Sequence, residues 1–433
     1  MASELLQQVR VIDPVTQTDR IADLLITDGM IRAIADSLSD YPTDTSVRDC
    51  RGLIAAPGLV DLYSQSGEPG FEARETLESL LQAASVGGFT RIAILPGTQP
   101  AIDTPAMVAW IKNRHQTLQR SLHLASNTPL PHLYCWAALT QETQGQQMTE
   151  LAELATTEIV GFADGRSLNH PALIRRLLEY GQPLNKPIAL WACDPTLVGN
   201  GVMREGYESI IFGLPGIPSF AETAPLAALL EYIATIQTPV HIMRVSTARS
   251  VELIQAAKAQ GAPITASTTW MHLLLNSQAV GSYDPHLRLA PPLGNPADQQ
   301  ALQQAVQAGI LDAIAIDHTP YSYEEKTVAF AEAPTGAIGL ELALPLLWQT
   351  LVASGQWSAL ELWQALSTRP AACLQQAPPM IDLNQPAELI LFDPHHPWTV
   401  ESTSLRSRST NTPWLGQTIP GRVVNRWIGR QEG

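Results

Sequence analysis

The chain has 433 residues, enough for one large domain and a smaller one, and its 45% hydrophobic and 15% charged residues are typical of a well-cored folded protein. A formal net charge of −15 at pH 7 would repel a phosphate backbone, so we expect no nucleic-acid partner. No apolar run approaches the roughly 18 residues of a membrane span, and no signal peptide is evident, so we expect a cytoplasmic protein without membrane contact.

The N-terminal part of the chain predicts a small β unit. Three runs with strand character follow one another there: VRVIDP (9–14), ADLLITDG (22–29) and MIRAIAD (30–36). Asp28 and Gly29 end the second run directly before the third begins. This dipeptide favours a tight hairpin turn because both residues tolerate positive φ.

From Leu53 onward, apolar runs alternate with helical stretches, which indicates a parallel α/β architecture. Eight near-equal units over about 300 residues favour a (β/α)8 barrel over an open doubly wound sheet. We place this barrel at residues 55–375. The eight runs are LIAAPGLVDLY (53–63), FTRIAILPG (89–97), LYCWAAL (133–139), EIVGFAD (158–164), PIALWAC (187–193), PVHIMRVS (239–246), PITASTT (263–269) and DAIAID (312–317).

After a helical stretch near residues 348–374, the C-terminal part of the chain returns to strand patterns. The runs are rich in β-branched and aromatic residues: PAELILFDP (386–394), HPWTVE (396–401) and GRVVNRWIG (421–429). We expect the two ends of the chain to pair with each other. Residues 1–54 and 376–433 are therefore predicted to form a composite small β domain beside the barrel.

In a barrel of this type, reactive side chains project from the C-terminal ends of the strands. Isolated histidines such as His241 and His272 lack partners at metal-ligand spacing, so we expect them to be core or rim imidazoles. The adjacent His395 and His396 fall in a Pro-rich loop that we expect at the surface. The residues at the ends of the runs are Tyr63, Gln65, Gly97, Gln99, Asp164, Trp191, Cys193, Arg244, Ser246, Trp270, His272, Asp317 and His318.

The four cysteines are Cys50, Cys135, Cys193 and Cys373, and none of them forms a C-x-x-C pair. This spacing indicates free thiols in a reducing compartment and disfavours a structural zinc site. Cys193 ends the fifth run, but a nucleophilic thiol needs a nearby base or a depressed pKa, neither of which the sequence shows.

Several long segments resemble one known family. Residues 57–100 (PGLVDLYSQSGEPGFEARETLESLLQAASVGGFTRIAILPGTQP), 201–222, 312–347, 386–394 and 408–424 are similar to dihydroorotases of the larger, class I type, within the amidohydrolase superfamily. The resemblance runs along almost the whole chain. It implies a zinc-dependent enzyme of pyrimidine biosynthesis that interconverts N-carbamoyl-L-aspartate and L-dihydroorotate.

The residues at the family's metal positions do not suit zinc. The H-x-H pair expected at the end of strand one is replaced here by Tyr63-Ser64-Gln65, a phenol and a neutral amide on one face of the strand. The histidine positions of strands five and six correspond to Trp191, whose indole has no lone pair for a metal, and Arg244, a permanent cation. Only Asp164 and Asp317 retain plausible ligands, so we expect no metal cofactor.

Substrate contacts have changed with the ligands. The family's carboxylate-binding arginine and asparagine correspond to Gly67 and Gly97, and its later asparagine and histidine to Ala290 and Tyr321. Asp317, followed by His318, occupies the general-base position but would be vestigial without metal-bound hydroxide.

Two further expectations concern the acidic residues. Asp164 precedes Gly165, so a turn-forming role is an alternative to its role as a vestigial ligand. We also expect Arg244 to neutralise Asp164 and Asp317 by bidentate pairing.

Three functions are consistent with the sequence. The first is a metal-free, inactive structural protein, because some dihydroorotase-like chains without metal ligands associate with aspartate transcarbamoylase, and a homo-oligomer is expected as well. The second is an active dihydroorotase with zinc, hydrolysing L-dihydroorotate to N-carbamoyl-L-aspartate, or a related cyclic amidohydrolase. The third is a small-molecule sensor that uses the concave barrel mouth.

Overall fold

The computed structural model describes residues 3–126 and 130–429. Its first strands are β1 (Ser3–Asp13), β2 (Thr18–Thr27), β3 (Met30–Ala35), β4 (Ser46–Asp49) and β5 (Ile54–Pro57). Strand β1 pairs antiparallel with β2 and parallel with β4 and β5, while β2 pairs antiparallel with β3. The predicted hairpin turn is confirmed, since Asp28 and Gly29 join β2 to β3 with φ values of 52° and 74°.

Eight parallel strands form the barrel, and they are hydrogen-bonded in the order of the sequence. The main-chain N–H of Asp317 donates to the carbonyl of Tyr63 at 3.1 Å, and that of Gln65 to the carbonyl of His318 at 2.8 Å, which joins the last strand to the first. The (β/α)8 prediction is confirmed. The strands are β6 (Leu59–Ser64), β7 (Phe89–Ile94), β8 (His132–Ala137), β9 (Gly161–Ser167), β10 (Ile188–Trp191), β13 (Val240–Met243), β14 (Ile264–Thr269) and β15 (Ala313–Ala315); between them, β11 (Met203–Arg204) and β12 (Gly216–Ile217) form a separate two-stranded sheet.

The run predicted as the first barrel strand, residues 53–63, is in fact two strands. Strand β5 belongs to the terminal sheet, whereas β6 begins the barrel after Gly58. A side chain at Gly58 would collide with Thr90, so this position also needs glycine for close packing. Both strands are buried throughout, including the polar residues Asp61 and Ser64 of β6, so no exposed segment marks the break between them. The boundary predicted after residue 54 falls inside β5.

Helices connect the barrel strands and cover their outer face. Helix α1 shows how one is set: Thr76 accepts a hydrogen bond from the N–H of Ser79, and Gly88 ends the helix with φ 92°. The helices are α1 (Leu77–Gly87), α2 (Pro105–Ser126), α3 (Leu151–Ala155), α4 (Pro171–Gly181), α5 (Pro195–Val198), α6 (Tyr207–Ile211), α7 (Phe220–Ile236), α8 (Ala248–Ala259), α9 (Trp270–Leu274), α10 (Pro296–Gln307), α11 (Tyr323–Lys326), α12 (Ala343–Leu347), α13 (Ala359–Trp363) and α14 (Arg369–Cys373). The helical stretch predicted near residues 348–374 contains α13 and α14 with two π-helical turns, Trp348–Val352 and Gln364–Thr368.

The C-terminal strands β16 (Leu389–Thr399) and β17 (Thr418–Trp427) complete the terminal sheet, whose order is β17-β16-β5-β1-β2-β3, with β4 beside β1. Strand β16 pairs antiparallel with β5 and β17. The prediction that both ends of the chain build one β unit is therefore confirmed. The runs at 386–394 and 396–401, predicted as two strands, form the single strand β16, which has a register irregularity between Asp393 and Pro397.

The barrel interior is packed with side chains rather than open. Inward-facing residues of several strands form one buried cluster that includes Tyr63, Trp136, Ala163 and Met243. Trp136 donates its indole N–H to the carbonyl of Leu62 at 2.9 Å, so even the polar atom of this large ring is satisfied. Packed side chains therefore fill the space between the strands beneath the carboxyl end of the barrel.

Two general expectations can be compared with the structure. All four cysteines are free, as predicted. None of the helices within residues 3–126 and 130–429 combines the length and apolar character needed to cross a bilayer.

Candidate functional site at the barrel mouth

A cavity of about 270 Å3 opens at the carboxyl end of the barrel strands, and we call it the barrel mouth. Five of the six positions singled out from the family's metal pattern line it. The sixth, Tyr63, is fully buried beneath it. The lining also contains the four positions assigned to substrate binding, so the topology brings together the residues that the sequence placed at one site. The five lining positions are Gln65, Asp164, Trp191, Arg244 and Asp317; the four substrate positions are Gly67, Gly97, Ala290 and Tyr321.

An arginine–aspartate pair occupies the centre of the barrel mouth. Arg244 donates from Nε and Nη2 to the two carboxylate oxygens of Asp317, both at 2.7 Å. Its Nη1 donates to the carbonyl of Gly165 at 2.8 Å. The guanidinium also lies over the ring of Trp191, 5.0 Å from the centroid, and 5.8 Å from that of Tyr63. The cation is therefore satisfied by a bidentate ion pair, a carbonyl and two aromatic faces.

Both members of this pair have left-handed backbone conformations, with φ 56° at Arg244 and 51° at Asp317. Residues with a Cβ adopt this region at a cost, and such strain persists where the surrounding structure enforces it. The main-chain N–H of Arg244 donates to the hydroxyl of Tyr63 at 3.2 Å. The phenol therefore supports the strained residue from below.

A series of hydrogen-bonded neutral side chains extends from Tyr63 into the barrel interior. Its hydroxyl is 2.9 Å from Oγ of Ser267, which is 2.8 Å from Nε2 of His241, and Nδ1 of His241 is 2.8 Å from Oγ1 of Thr265. Burial lowers the pKa of His241 to about 3, with a smaller contribution from Lys258. Burial, together with the negative charge of Asp317, raises the pKa of the Tyr63 hydroxyl. At neutral pH this series of side chains therefore supplies hydrogen bonds and no charge.

Asp164 lies at the barrel mouth, but its carboxylate is hydrogen-bonded to the neighbouring loop. Its carboxylate accepts from the main-chain N–H groups of Leu139 and Thr140 at 2.8 and 3.0 Å, and from the Thr140 hydroxyl at 2.5 Å. Burial raises its pKa despite these hydrogen bonds. The prediction that Arg244 pairs with both aspartates is thus right for Asp317 and wrong for Asp164, because loop donors already fill the latter carboxylate.

Gln65 and Trp191 fill the remaining ligand positions without offering a metal a basic atom. The side-chain oxygen of Gln65 would lie 3.5 Å from a Cβ at Gly97, so the amide faces the space that this glycine leaves. The indole Nε1 of Trp191 is buried and has no hydrogen-bond partner in the described part of the chain. That atom can only donate.

His318 and His272 are each held by a hydrogen bond at Nδ1, and His272 also lines the barrel mouth. Nδ1 of His318 accepts from the main-chain N–H of Gly339 at 3.2 Å, which directs its Nε2 toward Glu75 at 3.4 Å. Nδ1 of His272 is 2.7 Å from Oγ1 of Thr269, and burial lowers the pKa of His272 to about 4. Both imidazoles are buried.

Two arginines at the barrel mouth were not singled out from the sequence. Arg74 pairs with Glu325 at 2.9 and 3.0 Å and lies 4.8 Å from the ring centroid of Tyr321, while Arg166 is exposed at the rim. Arg74 follows Gly67, the position where the family's carboxylate-binding arginine is expected, by seven residues. This short separation from Gly67 was the only indication of Arg74 in the sequence. Its partner Glu325 lies far away along the chain, so the ion pair could not be predicted.

The donor set of the barrel mouth does not fit zinc. Zinc in proteins takes imidazole, thiolate and carboxylate ligands. This site offers a buried phenol, an amide, an indole, a guanidinium, two carboxylates that already accept hydrogen bonds and a single imidazole, that of His272. Within residues 3–126 and 130–429, no three His, Cys, Asp or Glu side chains are grouped so that they could hold a metal ion. The described residues of the barrel mouth therefore lack the ligand set of a catalytic zinc site.

Solved structures of hydantoinases share this fold. L-hydantoinase (dihydropyrimidinase) from Arthrobacter aurescens superposes with a TM-score of 0.81 at 20% identity, covering 99% of this chain and 97% of that one. Dihydropyrimidinase from Brevibacillus agri NCHU1002 gives a TM-score of 0.77 at 18% identity, covering 99% and 94%. These similarities show that the chain shares the (β/α)8 barrel fold of the hydantoinases.

Sequence comparison identifies the family among proteins of this fold. Residues 52–250 match the family model described as dihydro-orotase-like. The chain is 42% identical to a probable dihydroorotase-like protein of Synechocystis sp., over 98% of this chain and 99% of that protein. It is 36% identical to the dihydroorotase of Syntrophus aciditrophicus, over 97% and 96%. The chain belongs to the dihydroorotase-like family, as its sequence segments indicated.

Proposed function

We propose that this chain is a catalytically silent, metal-free member of the dihydroorotase-like family that acts as a structural partner of aspartate transcarbamoylase. The observation that carries the first half is the bidentate pair between Arg244 and Asp317. Both oxygens of the carboxylate at the general-base position are engaged by a permanent cation. Asp317 therefore cannot shuttle a proton without first breaking a nearly buried ion pair.

The lost imidazoles support the same proposal. An active dihydroorotase, or a related cyclic amidohydrolase, needs metal-bound hydroxide as its nucleophile. A guanidinium at the centre of the barrel mouth repels divalent cations, because like charges at short range in a buried site interact strongly. The activity implied by the names of the relatives is thus the alternative that an experiment must exclude.

Metal content and ring opening test catalytic silence together. Protein expressed with added zinc and freed of loose metal by gel filtration is expected to hold less than about a tenth of a zinc per chain, against the one or two of a catalytic site. It is also expected to give no turnover of L-dihydroorotate above buffer. Stoichiometric zinc with turnover that a chelator abolishes would overturn the proposal.

Two variants separate zinc in the barrel mouth from zinc at the surface. Asp317→Asn removes a carboxylate from the mouth, whereas the double variant His395→Ala/His396→Ala removes the exposed histidine pair. Zinc that disappears only in the histidine variant is surface-bound and agrees with a silent site. Zinc that disappears only with Asp317→Asn indicates a real metal centre and contradicts it.

The partnership follows from the family resemblance, in which chains without the metal ligands associate with aspartate transcarbamoylase. We expect a cytoplasmic homo-oligomer that co-elutes with that enzyme from the same organism. Size-exclusion chromatography with light scattering, performed on each protein alone and on their mixture, measures both properties. A strictly monomeric chain that leaves the elution volume of aspartate transcarbamoylase unchanged would exclude this role.

A further inference from the structure

A second, smaller cavity lies beside the barrel mouth, and we call it the side cavity. It has a volume of about 100 Å3 and shares with the mouth the wall residues Trp191, Leu289, Ala290 and Thr335. The rest of its wall comes from the loop after β10, strands β11 and β12, the start of α7 and the loop around residue 288. It is therefore a separate concave space on the side of the barrel mouth.

Three buried N–H groups of residues lining the side cavity find no acceptor among the residues that the structure describes. They are Nε of Arg204, Nε of Arg288 and Nε1 of Trp191. Arg204 is only 4% exposed, and its Nη2 donates to the Ser246 hydroxyl at 2.7 Å, while its Nε has no partner among the described residues. All three groups can only donate, and buried donors are normally paired. Residues of this lining therefore contribute three buried donors without acceptors, each with almost no accessible surface of its own.

The residues that line the side cavity also carry a net positive charge. Arg204 and Arg288 supply two permanent positive charges, and Glu222 is the single acidic residue of the lining. Glu222 is already engaged, because its carboxylate accepts from the main-chain N–H of Ser246 at 3.0 Å, from the hydroxyl of Ser250 at 2.6 Å and from the hydroxyl of Ser246. Nη2 of Arg204 lies 3.9 Å from it. An anionic acceptor would thus be attracted and not repelled.

Much of the remaining lining of the side cavity is apolar, with Val198, Ile217, Ala221, Pro291 and Pro292 among its residues. We propose that the side cavity binds a small organic monocarboxylate, with the carboxylate toward the arginines and the alkyl part against the apolar part of the lining. One water needs about 10–15 Å3 by this measure, so the space holds about seven to ten waters. A ligand with six or seven non-hydrogen atoms, such as butyrate or valerate, matches that size.

Cys193 provides a reporter inside the side cavity. It is half-buried and lines the wall, whereas Cys50, Cys135 and Cys373 are buried elsewhere. Burial raises the pKa of the Cys193 thiol to about 11, so alkylation is slow and is followed at pH 9. In the reaction the thiolate sulfur forms a bond to the CH2 carbon of the reagent, iodide leaves, and the thiol proton passes to the buffer.

Iodoacetate and iodoacetamide differ mainly in their charge and therefore test the arginines directly. With iodoacetate, the rate of Cys193 modification, measured by mass spectrometry of its peptide, is expected to saturate with reagent concentration. With iodoacetamide it is expected to rise linearly. Butyrate should slow both reactions, and butyramide should slow neither. Equal, linear kinetics for the two reagents with no protection by butyrate would overturn the proposal.

Variants separate a carboxylate site from general access to the thiol. Arg204→Met is expected to weaken butyrate binding about tenfold or more, because a hydrogen bond to a charged group is lost. Ala221→Leu fills the apolar part and is expected to abolish protection while both arginines remain. Cys193→Ser gives the background from the other cysteines. Protection by inorganic phosphate or chloride equal to that by butyrate would show an unspecific anion site and contradict an organic ligand.

Discussion

The barrel mouth and the side cavity each contain buried arginine, but the arginines are partnered differently. In the mouth, Arg244 donates to both oxygens of Asp317 and to a carbonyl. In the side cavity, Arg204 and Arg288 each keep a buried Nε without an acceptor among the described residues. The charged groups at the centre of the mouth thus satisfy each other, whereas two arginines of the side cavity keep donors without a partner. Family position alone does not predict this difference, because the mouth is where relatives are expected to bind substrate.

The largest expected effect concerns the ion pair between Arg244 and Asp317 in the barrel mouth. Arg244→Met should lower the free energy of unfolding by about 3–5 kcal/mol, because Asp317 is left nearly buried without its cation. Urea unfolding at pH 7 measures this loss. The matched control, Arg244→Met/Asp317→Leu, should recover most of it, since no unpaired charge remains. A loss below about 1 kcal/mol in the single variant would show that the pair does not stabilise the barrel mouth.

The second prediction concerns the pH dependence of stability that the buried His241 causes beneath the barrel mouth. The pKa of His241 is about 3 in the folded protein and near 6.5 when unfolded, so only the unfolded state binds a proton between these values. Its contribution to stability is complete above pH 6.5 and is lost as the pH falls toward 3. Between pH 7 and 4.5 the wild type should therefore lose roughly 2–3 kcal/mol more than His241→Gln.

The control for this pH effect is the exposed His395. His395→Gln should keep the wild-type slope of stability against pH, because this substitution leaves His241 and its hydrogen-bond partners unchanged. Urea unfolding of all three proteins at pH 7 and 4.5 gives the comparison. Identical slopes for the wild type and His241→Gln would mean that His241 is not held as a neutral, buried group.

The smallest expected effect sharpens the contrast between the two cavities. Arg204→Met should cost about 1–2 kcal/mol, because it removes one hydrogen bond to the Ser246 hydroxyl and a 3.9 Å contact with Glu222, whose carboxylate keeps its other hydrogen bonds. The same urea experiment is used. A loss as large as that of Arg244→Met would contradict the view that the side cavity arginines are held for a ligand and not for stability.

Much of the fold could be predicted because it is encoded locally. The apolar runs and helical stretches indicated eight strand-helix units, and Asp28-Gly29 indicated the hairpin. The break at Gly58 could not be predicted from periodicity, since β5 and β6 are both fully buried and belong to different sheets. Whether one buried run is one strand or two depends on which neighbours it pairs with.

The site shows a similar division. The positions of Tyr63, Trp191, Arg244 and Asp317 at strand ends followed from the pattern, and the structure places all four in or directly beneath the barrel mouth. The partner of Asp164 did not follow, because its carboxylate is filled by a loop that only the folded chain brings within reach. The donors of Arg204 and Arg288 were also hidden, since they converge from segments far apart in sequence.

The sequence by itself determined the barrel, the pairing of the chain ends and the residue types that replaced a metal site, because strand periodicity and side-chain chemistry are properties of short segments. Only the tertiary structure decided which charges are paired, which backbones are strained and which donors remain without an acceptor. Hydrogen bonds and ion pairs act over about 3 Å in space, and residues distant in sequence reach that separation only after the chain has folded.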